Sequence, residues 1–174
     1  GNSITWEVVN TIVYDSVGTS RKRITLFRAL SSTPTTGATT IDFGGQTQTD
    51  VCWSIVEVSG VPTTGTNGSD AIAQSNTNSD STSPGTGLTL TVSLSTFLSN
   101  SNAAFGFFAN GSGSQTDIWT PGTDYNILSA PYSSNIDALV QYKNTSDTSV
   151  EATCIATNDV GGIAIEIITS SSST

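Results

Sequence analysis

No histidine occurs in these 174 residues, and that absence removes the commonest metal ligand and the usual general base. Cations are nearly as scarce, five against fourteen carboxylates, for a net charge of −9. Phosphate binding needs many well-placed positive groups, so nucleic acid is not an expected partner. There is no run of about 18 apolar residues, so no membrane-spanning helix is expected, and no membrane partner. Charged residues make up only 11% of the chain, too few for long charged helices or for disorder driven by charge repulsion. No secretory leader pattern opens the sequence. It starts at Gly1 without a methionine, so a piece upstream is expected to be missing. There are two cysteines, Cys52 and Cys154. They are candidates for one disulfide closing a long loop, but spacing alone fixes neither pairing nor compartment.

What the chain does have is serine and threonine, about a third of all residues, with 16 glycines. Apolar residues alternate with this polar background. In LTLTVSL, Leu88, Leu90, Val92 and Leu94 share a face opposite Thr89, Thr91 and Ser93, the pattern of a half-buried antiparallel strand. GGIAIEII (161–168) sets Ile163, Ile165 and Ile167 against Ala164, Glu166 and Ile168. ITWEVVNTIVY (4–14) puts Ile4, Trp6, Val8, Ile12 and Tyr14 together, with Glu7 opposite. Further strands are expected at 21–30, 39–43, 51–58, 102–108, 136–143 and 149–156. Clusters such as STPTTG, STSPGTG, NGSGS and NDVGG separate them as turns.

About ten short strands and no segment of helical period predict an all-β fold. The architecture expected is an antiparallel β-sandwich, jelly-roll-like, in a single domain over residues 1–168. The polar stretch 62–87 reads as one or two long loops. Residues 169–174 read as a flexible tail.

Four of the five cations fall in RKRITLFRAL (21–30). Strand alternation divides them, with Arg21 and Arg23 beside Thr25 and Phe27, and Lys22 and Arg28 beside Ile24 and Leu26. A single anionic pocket is therefore disfavoured. Arg28 extends an apolar row and should need a carboxylate partner, for which Glu7, Glu57, Glu151 and Glu166 are available. Arg21 and Arg23 remain as subunit contacts, and Arg28 on the same strand is a further candidate for a partner contact.

The carboxylates offer no catalytic signature. A glycosidase needs two carboxyls about 5–10 Å apart across a cleft, and no local motif singles out a pair among Glu7, Glu57 and Glu166. Asp70, Asp80, Asp117, Asp124 and Asp159 lie in loops rich in oxygen ligands, but without the spaced pattern of a calcium loop. Without histidine, no hydrolase-type nucleophile arrangement can be assembled. No catalytic residue, cofactor or metal is assigned. Trp119, in the polar loop SGSQTDIWTPGTD, either stacks on a sugar or a neighbouring subunit, with Tyr125 nearby, or plugs the end of the sandwich.

The series SITWEVV, RKRITLFRAL, TTIDFGGQTQT, WSIVEVSGV, GTNGSDAIAQS and GGIAIEI resembles an uncharacterised β-sandwich module of tailed-phage structural proteins and bacterial surface or secreted proteins. The resemblance runs over nearly the whole chain. Val140-Gln141-Tyr142-Lys143-Asn144 stands where relatives carry T-E-W-R-N-D, so an acid is lost. It implies a β-sandwich and no activity, and also an upstream apolar segment whose strands would complete the sheet. In its absence a foreign strand would do so by addition.

The function expected is that of a non-enzymatic virion structural protein, a capsid decoration or cement protein on the particle surface. Its partners would be further copies of itself or the major capsid protein. A glycan-binding or adhesive surface module, and an extracellular filament subunit assembled by strand donation, are the alternatives. In each case the protein would lie on a virion surface or outside the cell.

Overall fold

Alternating side chains become hydrogen-bonded ladders wherever a matching row lies alongside. In the computed structural model, which describes residues 4–14, 21–81, 87–111, 119–155 and 159–170, ten strands form this way. They are β1 (Glu7–Val13), β2 (Arg23–Arg28), β3 (Ile72–Asp80), β4 (Leu88–Ser93) and β5 (Ala103–Asn110). After them come β6 (Trp119–Pro121), β7 (Asn126–Ser129), β8 (Asp137–Lys143), β9 (Ser149–Cys154) and β10 (Val160–Ile167). One sheet has the order β3-β10-β5-β8-β7, a second β4-β9-β6, and β1 pairs with β2. Every pairing is antiparallel, and the protein is all-β.

The core lies between the two larger sheets. Leu90 and Val92 of β4, with Val150 and Ala152 of β9, meet Phe108, Leu139 and Ala164 from the five-stranded sheet. Fully burying each large side chain of this set is worth about 1.5–3 kcal/mol. The opposite face of that sheet carries Phe105, Ile163, Ile165 and Ile167, covered by Val9 and Ile12 of β1 and Ile24 and Leu26 of β2. Hence β10 is covered on both faces, and all eight of its residues are buried. Its two glycines are there for space. A side chain at Gly161 would strike the Tyr14 ring, and one at Gly162 would strike Phe108.

The expected alternation holds in β2, β4 and β10 and fails in β1. A bulge between Val8 and Asn10 changes the phase, so Val9, Asn10 and Ile12 turn inward while Trp6 and Val8 face solvent. Residues 39–43 and 51–58 join no ladder, contrary to expectation. Three strands appear where loops were expected: β3 inside the polar stretch 62–87, and β6 and β7 around the Trp119 loop.

The sequence of β3, IAQSNTNSD, is poor in strand-forming residues, and its stability comes from elsewhere. It pairs with β10 along one edge. On the side toward β4, amide side chains reach across. Gln74 Nε2, Asn76 Nδ2 and Asn78 Nδ2 donate to the carbonyl oxygens of Ser95, Ser93 and Thr91 at 3.1, 2.7 and 2.8 Å. Gln74 Oε1 accepts from Ser95 N at 2.8 Å. This ladder of side-chain amides stitches the two sheets together along one flank.

The C-terminal boundary also shifts. Thr169 and Ser170, expected to belong to the tail, are hydrogen-bonded to Asn102, Ser101 and Gly60. The rest of the expected tail, 171–174, lies outside the described residues.

Candidate interaction surface

Strand β2 arranges the basic cluster as its alternation requires. Arg21 and Arg23 are exposed, while Arg28 is half-buried on the row of Ile24 and Leu26. Among the described residues Arg28 has no carboxylate partner, contrary to expectation. Glu7 stands opposite it in the β1–β2 register, yet they form no ion pair among the described residues. Instead Arg28 Nη2 donates to the carbonyl of Thr66 at 3.4 Å, and its buried Nε finds no acceptor.

The cause is the short 3-10 turn Thr66–Ala71, which packs against β2 and presents a main-chain oxygen where a carboxylate was expected. Asn67 holds that turn in place. From a left-handed conformation (φ 55°) it donates to Thr5 O and accepts from Leu30 N, tying the turn to both sides of the β1–β2 pair.

The expected acidic partners serve elsewhere. Glu166 is completely buried and accepts from Gln74 Nε2 at 2.6 Å, Asn102 Nδ2 at 2.6 Å and Leu98 N at 2.9 Å. Three donors satisfy its charge without a cation. Because Leu98 and Asn102 belong to the segment between β4 and β5, this carboxylate pins that crossing to β10. No cleft opens onto it, and its arrangement is that of a structural anchor.

Trp119 and Tyr125 do not form an exposed platform. They are 7% and 8% exposed, and both belong to the inter-sheet core. The Trp119 ring lies 5.6 Å from that of Phe108, and its Nε1 donates to Asp137 O at 3.2 Å. Burial, assisted by the nearby Asp147 carboxylate, holds the Tyr125 phenol protonated far above its ordinary range. Lys143 sits 5.6 Å over the Tyr125 ring and pairs with Asp147 at 3.3 Å and Asp124 at 3.8 Å. Lys143, the fifth cation, is therefore committed within the fold.

The two cysteines are free thiols, which overturns the candidate disulfide. Cys154 is sealed in the core as the last residue of β9, and its Sγ accepts from Asn110 Nδ2 at 3.1 Å. Cys52 lies half-buried on the unpaired segment. There burial, then the charges of Asp50 and Asp137, push its thiol up to about 11. Among the described residues, no three His, Cys, Asp or Glu side chains come together to hold a metal; Asp117 lies outside them.

An exposed apolar surface comes from the segment before β3. Gly44 and Gly45, both at positive φ, turn the chain, with Gln46 N donating to Phe43 O at 3.2 Å. The two arms leaving this turn never zip. Thr39, Ile41 and Phe43 on one arm and Val51 and Trp53 on the other line a groove of about 230 Å³. Trp53 is 58% exposed and Ile55 53%. Among the described residues, the backbone of 47–59 makes no hydrogen bond to any other main-chain group. One anchor holds the second arm down: Asp50 Oδ2 accepts from Asn135 N at 2.6 Å and from Asn135 Nδ2 at 3.2 Å. The alternation of 51–58 predicts a strand, and the basic row of β2 and Trp119 were the expected contacts. The exposed aromatic on that alternating row, Trp53, is the sequence signal for this surface.

No protein-family profile, curated protein or solved structure matches the chain.

Proposed function

We propose that this protein is a non-enzymatic structural component of a virus particle, exposed on its surface as a capsid decoration or cement protein. The observation carrying the reading is the pairing of a well-sealed sandwich with an exposed apolar surface on residues 39–58, whose backbone joins no ladder among the described residues. Surface of this kind marks protein contact. The resemblance to a tailed-phage module supplies the particle.

The reading includes a jelly-roll wiring, a fold common in capsid proteins. Counting β3 to β10 as eight strands, the first, eighth, third and sixth lie in one sheet and the second, seventh and fourth in the other. The fifth departs from that wiring by joining the first sheet. Fold alone does not carry function, so the weight rests on the surface. The partners in this reading are further copies of the chain and the major capsid protein, with Arg21 and Arg23 available to meet acidic groups on a shell.

The glycan-binding alternative is weakened by the burial of Trp119 and Tyr125, which were to form its platform. The test is binding to purified capsids of the virus whose genome carries the gene. Saturable binding at one stoichiometry per lattice site, weakened severalfold by Arg21→Glu with Arg23→Glu, is expected. Absence of the protein from the virion, with no binding to its shell, would overturn the reading.

A further inference from the structure

We propose that residues 47–59 pair with the same residues of a second copy of this chain, in a two-fold antiparallel interface centred on Trp53. Three observations converge on that occupant. First, the residues alternate between exposed and half-buried from Val51 to Glu57, the pattern of a strand, yet the backbone joins no ladder among the described residues. Apart from Val51 N, which donates to Asp50 Oδ1 at 3.0 Å, its main-chain groups are open to pairing among the described residues, and such a row is a template for another strand.

Second, the apolar row above that backbone is of interface size. Ile41, Phe43, Val51, Trp53 and Ile55 are each between 39% and 58% exposed. Together they present on the order of 500 Å² of apolar surface, taking ~150–250 Å² for a whole aromatic side chain. A stable interface takes about 800 Å² from each partner, so this patch with its polar margin is sufficient.

Third, the sequence is complementary to itself in one direction only. Antiparallel pairing with Trp53 opposite its counterpart sets Val51 against Ile55 and Cys52 against Ser54. The carboxylates of Asp50 and Glu57 then fall opposite Val56 and Thr49. Parallel pairing in register would stack Asp50 on Asp50 and Glu57 on Glu57, which is unfavourable. The antiparallel arrangement is isologous and closes on itself, giving a dimer. It does not depend on the particle reading, since a dimer that binds no capsid would leave it intact.

Sedimentation velocity of the full chain, followed over roughly a hundredfold dilution, tests it. The wild type should sediment at twice its 17.9 kDa mass and dissociate on dilution. Trp53→Glu should be monomeric throughout, with an unchanged far-ultraviolet spectrum because the side chain is exposed. Leu98→Glu, at an exposed leucine after β4, should keep the dimer. Amide exchange supplies the second readout: residues 47–59 should be protected in the dimer and lose that protection in Trp53→Glu. Three results would each overturn the proposal. They are a wild type monomeric at every concentration, an oligomer that survives Trp53→Glu, and an oligomer other than a dimer. Protection of 47–59 in a monomer would likewise assign its pairing to the chain itself.

Discussion

Residues 4–67 and residues 72–167 use the same vocabulary of alternating apolar and polar side chains, with opposite outcomes. In the first stretch Tyr14 is the single buried side chain among the described residues. The second holds two core clusters, one on each face of the five-stranded sheet, with buried side chains from Leu90 to Ile167. The difference lies in what stands opposite each row. The inward row of β10 meets Phe108 and Val92 on one face and the β1–β2 pair on the other. The row of Val51, Trp53 and Ile55 meets only the Thr39–Phe43 arm across an open groove and stays 39–58% exposed. Alternation specifies a face, and burial requires a second face supplied by topology or by another molecule.

The sharpest way to break this contrast is a pair of truncations measured by urea unfolding at high dilution. Phe108→Ala should cost about 3–5 kcal/mol, because it opens a cavity against Trp119 in a close-packed site. Ile55→Ala should stay within about 0.5 kcal/mol, as expected for an exposed position. Equal losses would mean that the arm has a core of its own, and the distinction between the two regions would fall.

The amide ladder gives an intermediate effect. Asn78→Ala removes the donor to Thr91 O and should cost about 1 kcal/mol, read as a shifted denaturant midpoint at unchanged slope. Wild-type stability in that variant would show the flank to be held by β3–β10 pairing alone.

The smallest effect concerns the two thiols, one from each region. Cys52 titrates near 11, raised by burial and then by Asp50 and Asp137, so alkylation should be slow at neutral pH and accelerate as pH rises toward 11. Cys154 should stay unmodified until the protein unfolds. The folded state tolerates the Cys52 thiolate less well than the unfolded chain, where the thiol titrates near 9.0. Any stability tied to this group is therefore complete below pH 9 and declines between 9 and 11. Rapid alkylation of Cys52 at pH 7 would contradict its half-buried placement.

The parts of the fold legible in the sequence are those whose partners are apolar. LTLTVSL and GGIAIEI announce their faces because both pack against hydrocarbon. The strand IAQSNTNSD was invisible because its partners are carbonyl oxygens, met by side chains that ordinarily signal turns. The bulge in β1 has no composition cue, so Val8 was assigned to the wrong face. At the candidate surface, the division of Arg21 and Arg23 from Arg28 followed from strand periodicity alone. The oxygen that Arg28 meets did not, since it belongs to the backbone of a turn 38 residues away. Trp53 was read as an ordinary strand residue, because nothing in a local pattern says that the neighbouring arm will stand apart.

The stitched flank also gives the molecule a chemical clock. Asparagine is among the thermally labile residues, and hydrolysis of its amide leaves aspartate. At Asn76 or Asn78 that change would exchange a donor for a negative oxygen aimed at a carbonyl less than 3 Å away. A lesion of one mass unit, with no bond of the chain cut, would turn a suture between the sheets into a point of repulsion. Long storage would then loosen this protein from the β3–β4 side inward, while its hydrocarbon core remained chemically intact.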